Sequence, residues 1–369
     1  MLALREIQRG GGRFAAVVGA LALIVFLVLV LGALADGLFY GATGAVRSTT
    51  ATATAYLTST DAAGSLVRSR VDEADVAQAA AVPRVTSAGS VGVLLTGGTG
   101  PEGAIDLAVF GIEPGAAGSP TTLVDGRLPA PGEAGVAAVD TRLEEKGIEI
   151  GSTISVGDVT ATVVGLVADA SYQLQPTAWT TVATWRQMRD AVRPELRGQP
   201  TVVNAIAVTT EGAPPVAALE AAVPGTTVLT AEQTALAIPG VEQQRSTLNA
   251  IIYTTLAVAA LVVALFFALL VLEKRELFAA LKALGASTGR LGRGVIVQAA
   301  VASALGIVAG AILARLFGLA IPAQVPVLFR TETLVTIAVF TLVAGVIGAL
   351  FSLRRIAKID PATAIGGVL

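Results

Sequence analysis

Four long apolar runs, placed unevenly along the chain, constrain this sequence more than any other feature. Residues 15–35 give 21 positions without a charge, 251–272 give 22, 295–314 give 20 interrupted only by Gln298 and Ser303, and 333–353 give 21. A helix needs roughly 20 apolar residues to cross a bilayer core. Each run meets that length, and nothing comparable lies in residues 36–250. The spacing predicts one span, a domain of about 210 residues, then three spans in quick succession. Only 14% of residues are charged, against roughly 25% in soluble domains.

The first run has a competing reading. Arg5, Arg9 and Arg13 precede it, and Ala33-Leu34-Ala35 fits a small-residue cleavage site, as in a signal peptide. The run exceeds the usual 7–15 residue apolar core of such peptides, which favours a retained span. Basic residues set the orientation. The amino-terminal segment, the loop after the second span and the tail carry eleven basic against four acidic residues, whereas the remainder carries 14 basic and 23 acidic. Both termini and the 273–293 loop are therefore expected in the cytoplasm. The expected fold class is an α+β membrane protein with four transmembrane helices and a large extracytoplasmic mixed α/β domain between helices 1 and 2. The expected boundaries are a cytoplasmic amphipathic segment at 1–14, spans at 15–39, 248–272, 294–319 and 333–353, the outer domain at 40–247, a cytoplasmic loop at 273–293, an outer loop at 320–332 and a tail at 354–369.

Several chemistries are excluded. Cysteine and histidine are both absent, which removes disulfides, thiolates, imidazole ligands and His-based triads. No Gly-x4-Gly-Lys-[Ser/Thr] element occurs, and the Gly97–Gly103 run has no lysine in that register. If ATP drives this protein, another chain hydrolyses it. No cofactor is expected on this chain, no nucleic-acid surface is indicated, and no nucleophile–base pairing points to an enzyme.

Within residues 40–250, 85–95, 105–112 and 204–209 read as strands, and 151–167 as a hairpin turning at Gly157-Asp158. Residues 141–146, 183–192, 215–222 and 231–237 read as helices. The 49–55 tract fits a strand or a linker, and the glycine-rich 97–103 stretch reads as a flexible loop. Trp179 and Trp185 are read as core or interface aromatics.

The stretch after the second span carries the sharpest pattern. Leu277, Leu281 and Leu284 fall at i, i+4 and i+7 with Phe278 beside them, one stripe of a helix. Charges cluster at Lys274, Arg275 and Glu276 and again at Lys282; Gly285 is placed to cap the end, and Ser287 to start the next helix. A short amphipathic helix at the membrane surface explains this, and so does a lever that docks into a cytoplasmic partner.

These residues carry a resemblance. Glu273-Lys-Arg-Glu followed by Leu281-Lys-Ala-Leu-Gly-Ala286 is similar to the signature after the second span of FtsX/MacB-type ABC permeases. The ending Ile359-Asp360-Pro361-Ala362-Thr363-Ala364 resembles that family's Asp-Pro-x-x-Ala tail. Residues 135–167 resemble its Gly-x-x-Ile/Val-Gly-Asp region, with Ser152 where aspartate is commoner, and the order of spans is the same. Within the family, residues 171–179 and 183–187, with Arg5-Glu6-Ile7 and Gly12-Arg13-Phe14, look similar to haem-exporter (HrtB-like) permeases.

The resemblance implies two copies of this chain working with two copies of a cytoplasmic ABC ATPase, whose closure pushes on residues 274–285. It implies export of a hydrophobic or amphipathic compound, with haem the leading specific expectation. Without histidine, haem would need tyrosine, methionine or carboxylate ligation. Other family members regulate an outer cell-wall hydrolase or sense antibiotics, and those readings stay open. Asp36, Tyr40, Glu242 and Arg245 flank the outer ends of the first two spans, and either line a cavity there or form a solvated stalk. Gly306 and Gly310 form a Gly-xxx-Gly element for close helix packing, within one subunit or between two. Arg315 is expected to reach the outer interface by snorkelling.

Overall fold

The computed structural model describes residues 11–199, 201–273, 275–284, 286–322 and 325–357. They divide into two compact units, Leu38–Gln244, and Met1–Gly37 with Arg245–Leu369.

Helix α1 (Gly11–Ser48) does not stop where the apolar run does. The expected boundary at residue 39 lies inside it, and its last turns belong to the core of the outer unit, where Ala42, Ala45 and Val46 are buried. Two glycines explain the fit. A Cβ on Gly44 would lie 2.6 Å from the Asp169 carbonyl oxygen, and one on Gly41 would lie 2.8 Å from Leu174 Cδ2. The 168–175 loop closes on the helix, with the Gln173 and Leu174 amides donating to the Ala42 and Gly41 carbonyls at 3.0 Å each.

The outer unit then builds strands β1 (Ala55–Ser59), β2 (Val71–Asp72), β3 (Val85–Gly100), β4 (Gly103–Ile112), β5 (Leu123–Gly126), β6 (Val136–Asp140), β7 (Thr153–Val156), β8 (Val159–Val167), β9 (Thr177–Thr181), β10 (Val202–Val203), β11 (Ala205–Thr210) and β12 (Thr226–Thr230). Short helices α2 (Val76–Ala80), α3 (Val182–Val192), α4 (Val216–Ala222) and α5 (Ala231–Leu236) lie between them, and residues Thr141–Lys146 form a 3-10 turn. The main sheet runs β12-β1-β11-β3-β4-β9-β6-β8-β5, and β7 bridges β8 to β3. That bridge closes part of the sheet into a ring, filled by Leu94, Leu107, Val109, Ile148, Ile154 and Val163.

The ring corrects one reading. Residues 97–100 are not a flexible loop but the far end of β3, paired to β4 as far as Gly100↔Gly103 and to β7 at Thr99↔Ser155. A Cβ on Gly98 would stand 2.8 Å from the Ser155 carbonyl, so glycine lets two backbones meet where the ring closes. The expected hairpin is present in β7 and β8, with Gly157 at φ 61° in its turn. At the opposite edge, β5 is exposed along its length, and its pairing with β8 slips between Leu123 and Asp125, leaving Val124 as a bulge. On the other face of the sheet Phe110 stacks on Trp179 at 4.6 Å and meets Tyr172 edge-on at 5.4 Å. Burial pushes the Tyr56 hydroxyl in this core up to about 12.

The membrane unit contains the start of α1, helix α6 (Val241–Glu273) from Arg245 onward, and helices α7 (Arg275–Ala283), α8 (Thr288–Ala320) and α9 (Thr331–Ala357). Among the described residues four helical segments are long and apolar enough to cross a membrane: Phe14–Ser48, Val241–Phe266, Gly289–Ala320 and Thr331–Leu350. Val17, Leu21, Val295, Ala299, Ala302 and Ala349 form one packed cluster, and Val25, Val28, Leu29, Ala314 and Ile337 another. Leu261, Leu265, Leu305, Val308 and Val339 remain exposed, an apolar outside suited to lipid.

Candidate functional site

Helix α7 carries most of the residues expected to couple to an ATPase. Ser287 stops the chain from continuing as one helix: its hydroxyl accepts the Arg290 amide at 3.3 Å and starts α8. The α7 helix turns its small residue inward. Ala279 is buried in the cluster formed with Val17, Leu21, Val295 and Ala299. Leu277 and Leu284 point away and stay exposed, Leu284 at 85%. Leu281 and Lys282 are half-buried. Arg275, Glu276 and Phe278 lie on the same helix. Lys274, Gly285 and the Asp360-Pro361 tail lie outside the described residues. The result is a short helix docked by alanine, with Leu277 uncovered on it and Leu284 uncovered in the turn that follows. Sequence spacing marks the leucine stripe but not Ala279, because alanine adds little to an apolar pattern.

The residues expected around an outer cavity lie one turn apart on two helices, Asp36 and Tyr40 on α1 and Glu242 and Arg245 on α6. Asp36 and Arg245 fall in the membrane unit, Tyr40 and Glu242 in the outer one. Asp36 accepts a 2.5 Å hydrogen bond from the Thr333 hydroxyl of α9. Tyr40 lies beneath the Arg47 guanidinium, 3.8 Å from ring centroid to carbon, and meets Phe39 edge-on. Glu242 and Arg245 are exposed on the first turns of α6. Arg315 is exposed near the end of α8, with its guanidinium 5.6 Å from the Phe329 ring.

Glycines set the helix contacts of the membrane unit. A Cβ on Gly306 would stand 2.7 Å from Leu21 Cβ, and one on Gly310 2.7 Å from the Ala22 carbonyl, so this pair faces α1 of the same chain. Two further contacts escape the sequence reading. Gly37 meets the Pro326 carbonyl at a distance only hydrogen permits, and Gly32 lies against Thr333 and Ile337. A lone glycine in an apolar run signals close approach but not its partner. Among the described residues no group of three or more His, Cys, Asp or Glu is placed to hold a metal ion.

Comparison with known proteins fits this architecture. Residues 14–225 match the MacB-like periplasmic core domain, and residues 249–361 match the FtsX-like permease C-terminal family. The chain belongs to the MacB/FtsX-type ABC transporter permeases, a multi-pass membrane protein with an extracytoplasmic α+β domain. An ABC transporter permease of Mycobacterium tuberculosis is 26% identical over 370 residues, 99% of each chain. A putative hemin transport system permease protein, HrtB, of Staphylococcus haemolyticus is 29% identical over 132 residues, 36% of this chain and 37% of that one. The chain thus spans little more than a third of that relative. Among solved structures, the periplasmic region of MacB from Actinobacillus actinomycetemcomitans aligns with 51% of this chain and 92% of that one at 12% identity and a TM-score of 0.37.

Proposed function

We propose that this chain is the membrane subunit of an ATP-driven exporter, coupled through α7 to a separate cytoplasmic ATPase. The observation that carries this reading is a pair of uncovered leucines, Leu277 on a helix fixed from behind by Ala279 and Leu284 in the turn that ends it. An apolar side chain left bare at a polar boundary gains roughly 1.5–3 kcal/mol when a partner covers it. The charge balance favours the same side for α7: basic residues gather at both ends of the chain and around 273–293, which supports a cytoplasmic position for these segments.

The working unit is a homodimer. In its favour, only 6% of the positions in the most apolar stretch of α6 are buried, against 28–33% in the other three spans. The cargo is a hydrophobic or amphipathic compound, with haem the specific candidate, favoured by the sequence match to a hemin transport permease.

The test is to reconstitute the chain with its ATPase in nanodiscs and to measure ATP hydrolysis with and without hemin. Leu284→Asp is expected to abolish cargo-stimulated hydrolysis and to weaken ATPase retention about tenfold or more, the size of one lost leucine contact. Unchanged coupling in a correctly inserted Leu284→Asp protein sinks the lever assignment. An active complex indifferent to hemin removes haem and turns the search to other amphiphiles or to a signalling role.

A further inference from the structure

The outer unit holds a cleft between α3 and β10. One wall is β10 with Val93 and Leu94 of β3; the other is α3 with the turn that follows it. Arg70, Arg189 and Arg193 all line it, with Trp185 and Asn204, and among the described residues no carboxylate does. Trp185 is held rigidly, because a Cβ on either Gly92 or Gly111 would fall within 2.5 Å of its side chain, so two glycines form its seat. Arg189 is also fixed. It is buried, it donates to the Val202 carbonyl at 2.9 Å and the Gln199 carbonyl at 3.3 Å, it pairs with Asp190 at 2.8 Å, and it lies 5.2 Å from the Trp185 ring.

Two features show what this cleft lacks. The Trp185 indole N–H is buried without an acceptor, and a buried donor left unmatched costs about 1–3 kcal/mol. Partial burial, and then the Arg193 and Arg189 charges, hold the Arg70 guanidinium below the usual arginine range. Both deficits are met by an anion. The enclosed space is about 20 Å³. One water needs roughly 10–15 Å³ by the same measure, so the cleft admits a flat two-oxygen group more readily than a tetrahedral one. Asn204 is already committed, accepting from the Val93 amide and donating to the Leu66 carbonyl, Arg189 is committed to its carbonyls and Asp190, and Arg70 Nη1 donates to the Val67 and Ser69 carbonyls at 3.1 and 2.8 Å, so the donors left to a ligand are Arg193, the other N–H groups of Arg70 and the indole.

We propose that this cleft is a carboxylate-binding site, in which Arg70 and Arg193 at the mouth hold the ligand's oxygens and the Trp185 N–H is the inner donor. The site recognises an acid outside the membrane, in a domain whose permease role does not call for one. Its chemistry is independent of the coupling helix and of the cargo.

The chain has two tryptophans, so full-length protein labelled with ¹⁵N at the indole gives two N–H resonances in nanodiscs. Citrate and acetate are titrated at constant ionic strength against chloride, with inorganic phosphate as a third probe. Expected is a saturable downfield shift of one resonance with citrate or acetate, absent in Trp185→Phe. Arg193→Gln and Arg70→Gln, both at accessible positions, are each expected to weaken binding roughly tenfold, the size of one charge-assisted hydrogen bond. Arg193→Lys recovers part of that loss. The proposal is overturned if chloride gives the same shift, if the moving resonance survives in Trp185→Phe, or if both glutamine variants titrate like wild type. A response to phosphate alone overturns the carboxylate assignment.

Discussion

The outer unit and the membrane unit fill their interiors with different residues. Trp179, Tyr172, Met188, Ile112 and Ile154 are fully buried in the outer unit, and its surface leucines are few. In the membrane unit the buried positions are Ala279, Ala299, Ala302, Ala314 and Ala349 with some valine and leucine, while Leu261, Leu305, Leu316 and Leu319 face outward. The difference follows from the solvent. In water, large apolar side chains gain most by leaving it. Lipid tails welcome leucine as readily as a neighbouring helix does, so helices associate by close backbone approach, which small residues allow. One chain thus packs by bulk in one half and by smallness in the other, and the same substitution has opposite consequences in the two.

The largest expected effect is in the outer unit. Trp179→Ala removes the ring stacked on Phe110 and should cost about 3–5 kcal/mol, read as a lower midpoint of thermal unfolding of the full chain. Gly310→Leu tests the opposite rule. It drives a side chain into Ala22 and Val25, with an expected cost of about 1–3 kcal/mol, whereas Leu261→Ala on the outward face should change stability by less than about 0.5 kcal/mol. Detergent-denaturation midpoints compare the two, and equal losses would break the contrast. Thr333→Val removes the hydrogen bond to Asp36 and should cost about 1 kcal/mol, the usual worth of such a bond between membrane helices. The smallest effect is electrostatic. Glu133 accepts from Arg127 at 2.7 Å and from the Ala130 amide at 2.8 Å, and these hydrogen bonds, the Arg127 one foremost, hold its carboxyl down at about 2. Its folded value lies below the unfolded one of 4.5, so the contribution is present above pH 4.5 and fades as pH falls toward 2. The pair is exposed, so a slight flattening of the acid limb in Glu133→Gln is expected, checked by midpoints across that range.

How much of this is legible from sequence follows the same division. Apolar length announces the four spans, because a bilayer enforces it. The Gly157-Asp158 turn announces its hairpin. The 97–100 run misleads, because glycine is read as freedom when here it permits two strands to meet. The continuation of α1 to Ser48 is hidden because Gly41 and Gly44 look like helix enders, and their use against the 168–175 loop depends on contacts more than a hundred residues away. At the candidate coupling site, spacing marks Leu277 and Leu284, but which face is covered depends on Ala279 meeting α1 and α8. The convergence of Arg70 with Arg189 and Arg193 is invisible for the same reason: the residues are local to nothing but the fold.

The bulge in β5 has a consequence for this domain in a crowded milieu. An open sheet ends in an edge whose unpaired amides and carbonyls invite a second chain, and a straight apolar edge is a template for aggregation. Here that edge carries Leu123 and Val124, both exposed, and would be adhesive if regular. The slip at Val124 throws the next backbone groups out of step, and Asp125 adds a charge where an approaching strand would lie. The edge therefore offers no long run of matched partners, and copies of the domain collide at high density without zipping together.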